Sequence, residues 1–336
     1  MTTLHVLGNF EQPTNLDTRI EPFSIATYWF IKYMAERGWN MIHYGHPDSK
    51  PLCEFVPIPY VGAHEANLIA NAEIQKRKKP GDMILCFYGA GNAGATQDNT
   101  DLKIIEPSIG YSCDAVFAPY RVFTSYAHQH MYYGQNRMLM NPSWFDAVIP
   151  NGFELDEFEF CEQKDDYLLY FGRVIGVKGV ELCMQLAQRT GHRLVIAGPG
   201  NLSELGINNI PSFVDVVGPC NADQRRALMS RAKALLGPTY YVEPFGNMVV
   251  EAQLSGTPTI TTDWGGFTET NINGVTGYRC RDWNDFVHAV NNIDKIDPKV
   301  CRAWAESRYS NAVVHDQFDR YLRKVMHSNF YAEEVQ

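Results

Sequence analysis

Short apolar runs alternate with longer amphipathic ones along almost the whole chain. LHVLG near the N-terminus reads as a strand. PFSIATYWFIKYMAERG then carries Ile25, Trp29 and Met34 at helical spacing and ends on Gly38, where a C-cap glycine belongs. NMIHYG and DMILCFYG read as the next strands. This β-α-β rhythm predicts a parallel sheet covered by helices on both faces. The rhythm pauses at DAVIPNGFELDEFEFCEQKDD and restarts: YLLYFGR, HRLVIAG, FVDVVG and TPTITT read as strands, GVELCMQLAQRTG and ADQRRALMSRAKA as helices. Two C-terminal helices follow, at about 282–293 and 298–327. The α/β pattern therefore predicts two successive units, with Pro150-Asn151-Gly152 and the acidic segment after it as a hinge. Two such units facing each other make a deep cleft, and ligands of open α/β sheets bind at the carboxyl ends of the strands.

Two stretches carry the sharpest chemistry, both in the second half. YFGRVIGVKGVELCMQLA sets Arg173 at a strand end, glycines 172, 176 and 179 around it, and Lys178 at the head of a helix. Two cations on flexible backbone beside a helix N-terminus suit a diphosphate; an ordinary strand-to-helix loop with two surface cations is the plain alternative. In EPFGNMVVEAQLSG a helix is expected to start near Gly246-Asn247 and stop before Gly256, offering the N–H groups of Gly246, Asn247 and Met248 to an anion. Glu251 lies one turn further in, and side chains of a helix lean toward its N-terminus. Its carboxylate, which only accepts, suits the vicinal hydroxyls of a ribose. Glu243, before the turn, would sit on the sugar side of the phosphate. The alternative, that both acids are solvated or paired with distant arginines, leaves the apolar helix around them unexplained.

These residues carry a resemblance. The chain resembles a retaining GT-B glycosyltransferase of family 4, the glycosyl transferases group 1. The matching pieces run in family order: YMAERGWNMIHYG, VIPNGFELDEF, YFGRVIGVKGVE, RLVIAGPG, the long block from VVGPC through EPFGNMVVEA to NGVTGY, and AESRYSNAVVHDQFDRYLRKV. Two glutamates eight positions apart, followed by Gly265, Gly266 and Glu269, form the most specific part. The resemblance implies two Rossmann-like domains, 1–150 on the acceptor side and 151–310 on the donor side, with 311–336 as a C-terminal helix able to cross back to the first. It assigns Arg173 and Lys178 to the diphosphate of a UDP- or GDP-linked sugar, Glu251 to the ribose, and Gly172 to the donor site beside them. Glu243 and the backbone of Phe245, Gly246, Asn247 and Met248 fall to the sugar and phosphate. Gly198, Gly200, Val217 and Gly218 flank the base. It further implies transfer to an acceptor hydroxyl with retained configuration, by attack on the face that the phosphate leaves, and no metal or other cofactor. Glu243 as a covalent nucleophile is the chemical alternative.

The first half departs from the family pattern. Its first loop, GNFEQPTNLDTRIEPF, has Gly8 where the family often has a glycine pair, with Asn9, Asn15, Asp17 and Arg19 as polar candidates on the acceptor side. No histidine follows DMILCFYG at the place where many members have one. That place holds GAGNAG instead, a match to the dinucleotide fingerprint G-x-G-x-x-G. It follows a later strand than the fingerprint requires, and ATQDNTDLKIIEP after it is a poor helix. Gly89 and Asn92 are therefore expected to line the cleft, with an NAD-linked oxidoreductase as the rival reading and a non-catalytic sugar- or nucleotide-binding protein as a third. His130 is a candidate acceptor-activating base, and His128 with His130 a weak candidate metal pair. Tyr111, Phe117, Tyr120, Phe123, Tyr126, Tyr132 and Tyr133 suit stacking on a sugar and core packing equally.

Composition narrows the setting. A formal charge of −9 over 336 residues disfavours a non-specific grip on nucleic acid; glycan, lipid-linked sugar, protein and modified-nucleobase acceptors are all open, the charge weighing slightly against the last. The one dense basic run, Lys76-Arg77-Lys78-Lys79, reads as a solvated helix end, with an anionic or membrane surface as the alternative. Eight cysteines without a C-x-x-C pair fit a reducing compartment. With no secretory signal and no apolar run of about 18 residues, a cytoplasmic protein is expected.

Overall fold

The computed structural model describes residues 2–16, 22–138 and 142–327. By contact the chain divides into two units. The first holds residues up to Thr124, Gln129–Gly152 and the chain from Asn311 on; the second holds Ser125–His128 and Phe153–Ser310. In chain order the elements up to Val148 are β1 (Thr3–Leu7), α1 (Pro22–Glu36), β2 (Asn40–Gly45), β3 (Glu54–Pro57), α2 (Ala63–Arg77), β4 (Met83–Cys86), β5 (Lys103–Ile109), β6 (Tyr120–Phe123), α3 (Tyr126–Gln135) and β7 (Ala147–Val148). Then follow β8 (Tyr167–Phe171), α4 (Val180–Thr190), β9 (Arg193–Ala197), β10 (Val214–Gly218), α5 (Ala222–Arg231), β11 (Ala234–Gly237) and α6 (Asn247–Leu254). The last are β12 (Thr259–Thr262), α7 (Phe267–Thr270), β13 (Gly277–Cys280), α8 (Trp283–Asn292), α9 (Pro298–Tyr309) and α10 (Asn311–His327).

Each unit is a parallel sheet with cores on both faces, and strand alternation explains why. In β1, Leu4 and Val6 point into the core shared with α1 and α10, while Leu7 points into the core under α2. β4 repeats this with Met83 and Leu85 against Ile84 and Cys86. In the second unit Leu168 and Tyr170 of β8 face α4 and α8, and Tyr167 and Leu169 face α5 and α6. Full burial of each such side chain contributes about 1.5–3 kcal/mol. A strand apolar on both faces needs cover on both, which is the parallel-sheet pattern. The sheet orders are β3-β2-β1-β4-β5-β6-β7 and β10-β9-β8-β11-β12-β13. Chain order reverses between β1 and β4 in the first and between β8 and β11 in the second, and such reversal points are where α/β sheets bind ligands.

Three features differ from the sequence reading. The expected helix over 298–327 is two helices, broken at Ser310, whose backbone is extended (φ −61°, ψ 144°) and bridges to Phe153. The stretch ATQDNTDLKIIEP, read only as a poor helix, runs into β5, a central strand despite Pro107. The proline is tolerated because pairing with β4 ends at Ile105 and the register with β6 shifts between Glu106 and Ile109. The basic run closes α2 with its charges engaged: Lys76 pairs with Glu73 at 2.5 Å, Arg77 with Glu73, and Lys78 with Asp101 at 2.5 Å. All eight cysteines are free. Among the described residues, no helix is long and apolar enough to cross a membrane.

Burial lowers the pKa of His5, His43 and His315 in the first unit, and furthest for the last two. His43 on β2 is fully buried with Nδ1 3.1 Å from the Val6 carbonyl, and burial pushes its pKa down to about 4. His315 on α10, with Nδ1 2.7 Å from the Asn311 carbonyl, is likewise pushed down to about 4 by burial. Unfolding returns both to about 6.5, so between pH 6.5 and 4 the unfolded chain binds more protons and stability falls as pH falls. Each histidine can cost up to about 3 kcal/mol across that window. The first unit is therefore expected to lose Tm steadily in calorimetry between pH 6.5 and 4.5. A flat profile there would show that these rings are not buried neutral.

Candidate functional site

The second unit gathers charged groups at its reversal point. The loop leaving β8 carries Arg173 and Lys178; the loop leaving β11 carries Glu243 and opens α6. Arg173 is exposed and forms no ion pair among the described residues. The Lys178 ammonium donates to Glu243 Oε2 at 2.8 Å, and the Tyr241 hydroxyl donates to the same oxygen at 2.6 Å. Lys178 Nζ also lies 4.9 Å from the centre of the Tyr241 ring. Burial, with the Glu243 charge beside it, holds the Tyr241 phenol far above its usual pKa, so it remains a donor. The segment bearing Glu243 is fixed from behind: Trp264 Nε1 donates to the Tyr241 carbonyl (3.1 Å), and Gly266 N donates to the Glu243 carbonyl (2.6 Å).

Gly246 begins α6 with φ +89°, a conformation that side-chain-bearing residues avoid, and a Cβ there would stand 2.5 Å from the Phe267 ring. Phe245 turns its ring inward against Phe153 and Tyr309, leaving only its backbone at the turn. Val249, Val250 and Leu254 are fully buried and anchor α6. The first turn of a helix holds backbone N–H groups without intrahelical acceptors and the positive end of the dipole. At the opposite end the Lys164 ammonium donates to the Ser230 (2.7 Å) and Ser255 (3.3 Å) carbonyls and to Thr257 Oγ1 (3.0 Å), and burial lowers its pKa to about 8. Lys164 thus satisfies the carbonyl ends of α5 and α6. Asn247, Met248 and Glu251 are half-buried along the first turns.

The expected base-flanking residues also lie at the carboxyl edge. Gly198 N donates to the Gly218 carbonyl (2.8 Å), Gly172 N to the Ala197 carbonyl (2.9 Å) and Val174 N to the Pro199 carbonyl (2.8 Å), so the loops after β8, β9 and β10 are laced together. Gly200 packs against Val174 in the same lacing, and Val217 is exposed beside Gly218.

The two glutamates are not without cations. Glu243 has Lys178, and Glu251 Oε1 is 3.4 Å from Arg225 Nη1 on α5. The reading that dismissed distant arginines is corrected here for Glu251. Arg225 and Tyr241 are the two site residues that the sequence reading missed. The paired cations lie 65 and 26 positions away, beyond the reach of any local pattern.

In the first unit, Gly8 and Asn9 follow β1 while Gly89 and Asn92 follow β4, at that sheet's own reversal point. Asn92 is buried, donates to the Gly8 carbonyl (3.1 Å) and accepts from Tyr88 N (3.0 Å), so it ties the two loops together. Asn9 turns back on Glu11 N (2.7 Å), and Asn15 reaches the Asp48 carbonyl (3.5 Å). Asp17 and Arg19 lie outside the described residues. Residues 89–96 form a 3-10 stretch, so the glycine fingerprint lacks the α-helix whose N-terminus would take a pyrophosphate. His128 is buried and His130 exposed on α3. Among the described residues no three His, Cys, Asp or Glu side chains are grouped to hold a metal ion. Of the candidate stacking aromatics, Phe123, Tyr132 and Tyr133 pack with one another, Tyr120 joins the main core, Tyr111 and Phe117 are half-buried, and Tyr126 is exposed.

Residues 153–310 match the family model described as glycosyl transferases group 1. The chain is 33% identical over 163 residues to a glycogen synthase of Mycobacterium tuberculosis, an alignment covering 44% of this chain and 39% of that protein. It is 27% identical over 189 residues to a D-inositol 3-phosphate glycosyltransferase of a Mycobacterium species, covering 48% of this chain and 42% of that protein. The chain thus spans well under half the length of these curated relatives. Among solved structures it is similar to AviGT4, a glycosyltransferase involved in avilamycin A biosynthesis, with a TM-score of 0.75, 18% identity, and 97% of this chain and 98% of that chain covered. At this identity the likeness is one of fold: two parallel-sheet, Rossmann-like units, the GT-B architecture.

Proposed function

We propose that this chain, whose residues 153–310 match the glycosyl transferases group 1 model, moves a sugar from a nucleotide-diphosphate donor, UDP- or GDP-linked, to an acceptor hydroxyl with retention of configuration. The observation that carries this reading is the convergence of Arg173, Lys178, Glu243 and the N-terminus of α6 on one reversal point. Departure of the diphosphate builds negative charge, and groups already aimed at it lower the barrier. Arg173, Lys178 and the first turn of α6 take that charge in place of a divalent ion. As the diphosphate draws on Lys178, Tyr241 still holds Glu243, which then meets the hydroxyls of the transferred sugar. Glu251 accepts from the ribose, and the lacing of Gly172, Gly198, Gly200 and Gly218 forms the edge on which the base lies. The acceptor attacks on the face that the phosphate vacates, and the phosphate oxygen takes its proton. His130 and the Gly8–Asn92 junction belong to the first unit and are assigned to the acceptor. A UDP-glucose complex of the similarly folded HepE of Anabaena supports a UDP-type donor.

Thermal shift with nucleotides tests the reading. UDP or GDP at a hundred times its Kd should stabilise the protein by about 2.7 kcal/mol, and the shift should survive EDTA. NAD should give none. Stabilisation by NAD, or by neither nucleoside diphosphate, would end the proposal, and loss of the shift in EDTA would end its metal-independent form.

A further inference from the structure

Arg225 sits between two acids. Its Nη1 is 3.4 Å from Glu251 Oε1 and its Nη2 is 3.6 Å from Glu157 Oε2, with all three side chains largely buried. The guanidinium carbon also stands 5.5 Å from the centre of the Phe158 ring. Glu157 is held a second time, because the neighbouring Arg226 Nε donates to its carbonyl at 3.0 Å. Arg225 is thus shared by two carboxylates, with the Arg226 cation alongside. Arg225 takes only one oxygen of Glu251; among the described residues no protein group donates to the other, Oε2. An anchored carboxylate with one uncommitted oxygen is arranged to accept hydrogen bonds from a ligand that brings its own hydroxyls.

We propose that Arg225 is a positioning residue that sets the preference for a ribonucleotide: it fixes Glu251 through Oε1 so that Oε2 is left for the vicinal hydroxyls of the ribose. This rests on reading the second unit as a nucleotide-diphosphate-sugar site. Glu157 balances Arg225 from the other side and keeps the guanidinium from closing both oxygens of Glu251. A fork held by planar, charged donors loses less freedom than an amine would, so lysine should replace it only in part.

The test compares UDP with 2′,3′-dideoxy-UDP by calorimetric titration, with the corresponding guanosine pair run alongside. Wild type should bind the ribonucleotide at least about tenfold more tightly, since removing hydroxyls strands a charged acceptor. Arg225→Gln should weaken the ribonucleotide by about tenfold and leave the dideoxy form unchanged, collapsing the ratio, and Arg225→Lys should restore part of it. Glu157→Gln should keep the ratio at or above the wild-type value, and it provides the second reading if Arg225→Gln folds poorly. A ratio unchanged in Arg225→Gln, or collapsed equally in Glu157→Gln, would show that Arg225 merely ties the segment before β8 to α6. A wild type that binds the ribonucleotide and the dideoxy form equally would also overturn the proposal. A wild type that binds no nucleoside diphosphate would instead bring down the donor-site reading on which it rests.

Discussion

Alanine in place of Lys178 is expected to lower kcat/KM for sugar transfer or donor hydrolysis by about 10²–10³-fold, the scale for losing one preorganised group at developing negative charge. Two effects combine. In the proposed reaction the departing diphosphate loses a cation, and Glu243 loses its ion-pair partner while its side chain remains only 13% exposed. Tyr241 still donates to Glu243, so the acid keeps one hydrogen bond but no counter-charge. Removing one member of a mostly buried pair is worse than never having had it, because the remaining charge stays desolvated. Initial rates with a panel of UDP- and GDP-sugars read the first effect and a melting curve the second. Activity within threefold of wild type would remove Lys178 from the reaction.

Alanine at Gly198 should cost more than about 3 kcal/mol, combining backbone strain with a clash that nothing flexible can relieve. Gly198 has φ +135°, and an added Cβ would lie 2.0 Å from the Gly172 carbonyl oxygen, which is backbone. The loops after β8 and β9 would have to part, breaking the lacing that holds Gly172 and Gly218 and shifting Arg173. Gly191 is the natural control: its φ is +73°, yet nothing lies within 4 Å of its added Cβ. Gly191→Ala should therefore cost only the strain, about 1–2 kcal/mol. Calorimetry of both variants, with the UDP-induced shift recorded for each, separates them. Equal losses would mean that the loops give way freely.

Much of the architecture was legible because parallel strands covered on both faces write apolar runs of a length helices do not share. LHVL, MILC, YLLYF and LVIA each supply side chains to both cores of their sheets. β5 was hidden because Glu106 and Pro107 interrupt its run. Glu106 is buried by compensation, accepting from Tyr111 Oη (2.7 Å) and from Phe117 and Ala118 N–H (3.0 and 2.8 Å), partners that no local pattern announces. The break at Ser310 had a faint signal, since Ser310 is a residue type that begins helices, but neither proline nor glycine marks it. In the candidate site, glycines and cations were visible as types at a spacing. Their pairing was not, because contact between Lys178 and Glu243 or between Arg225 and Glu251 is made by the sheet order.

The place of α10 bears on how the protein is made. Phe30 of α1 stacks edge-on with Phe318 at 5.4 Å, Trp39 donates to Asp319 at 2.7 Å, and Tyr321 donates to the Phe145 carbonyl at 3.0 Å. The first unit is thus sewn shut by residues that leave the ribosome after the whole second unit. Domains ordinarily mature in order of emergence. Here the later-encoded sheet has its full sequence first, while the earlier one waits with the face of α1 uncovered. A chain truncated after Ser310 would carry the complete second sheet and a first unit without its covering helix, and chaperone demand should concentrate on the opening 150 or so residues rather than on the middle of the chain.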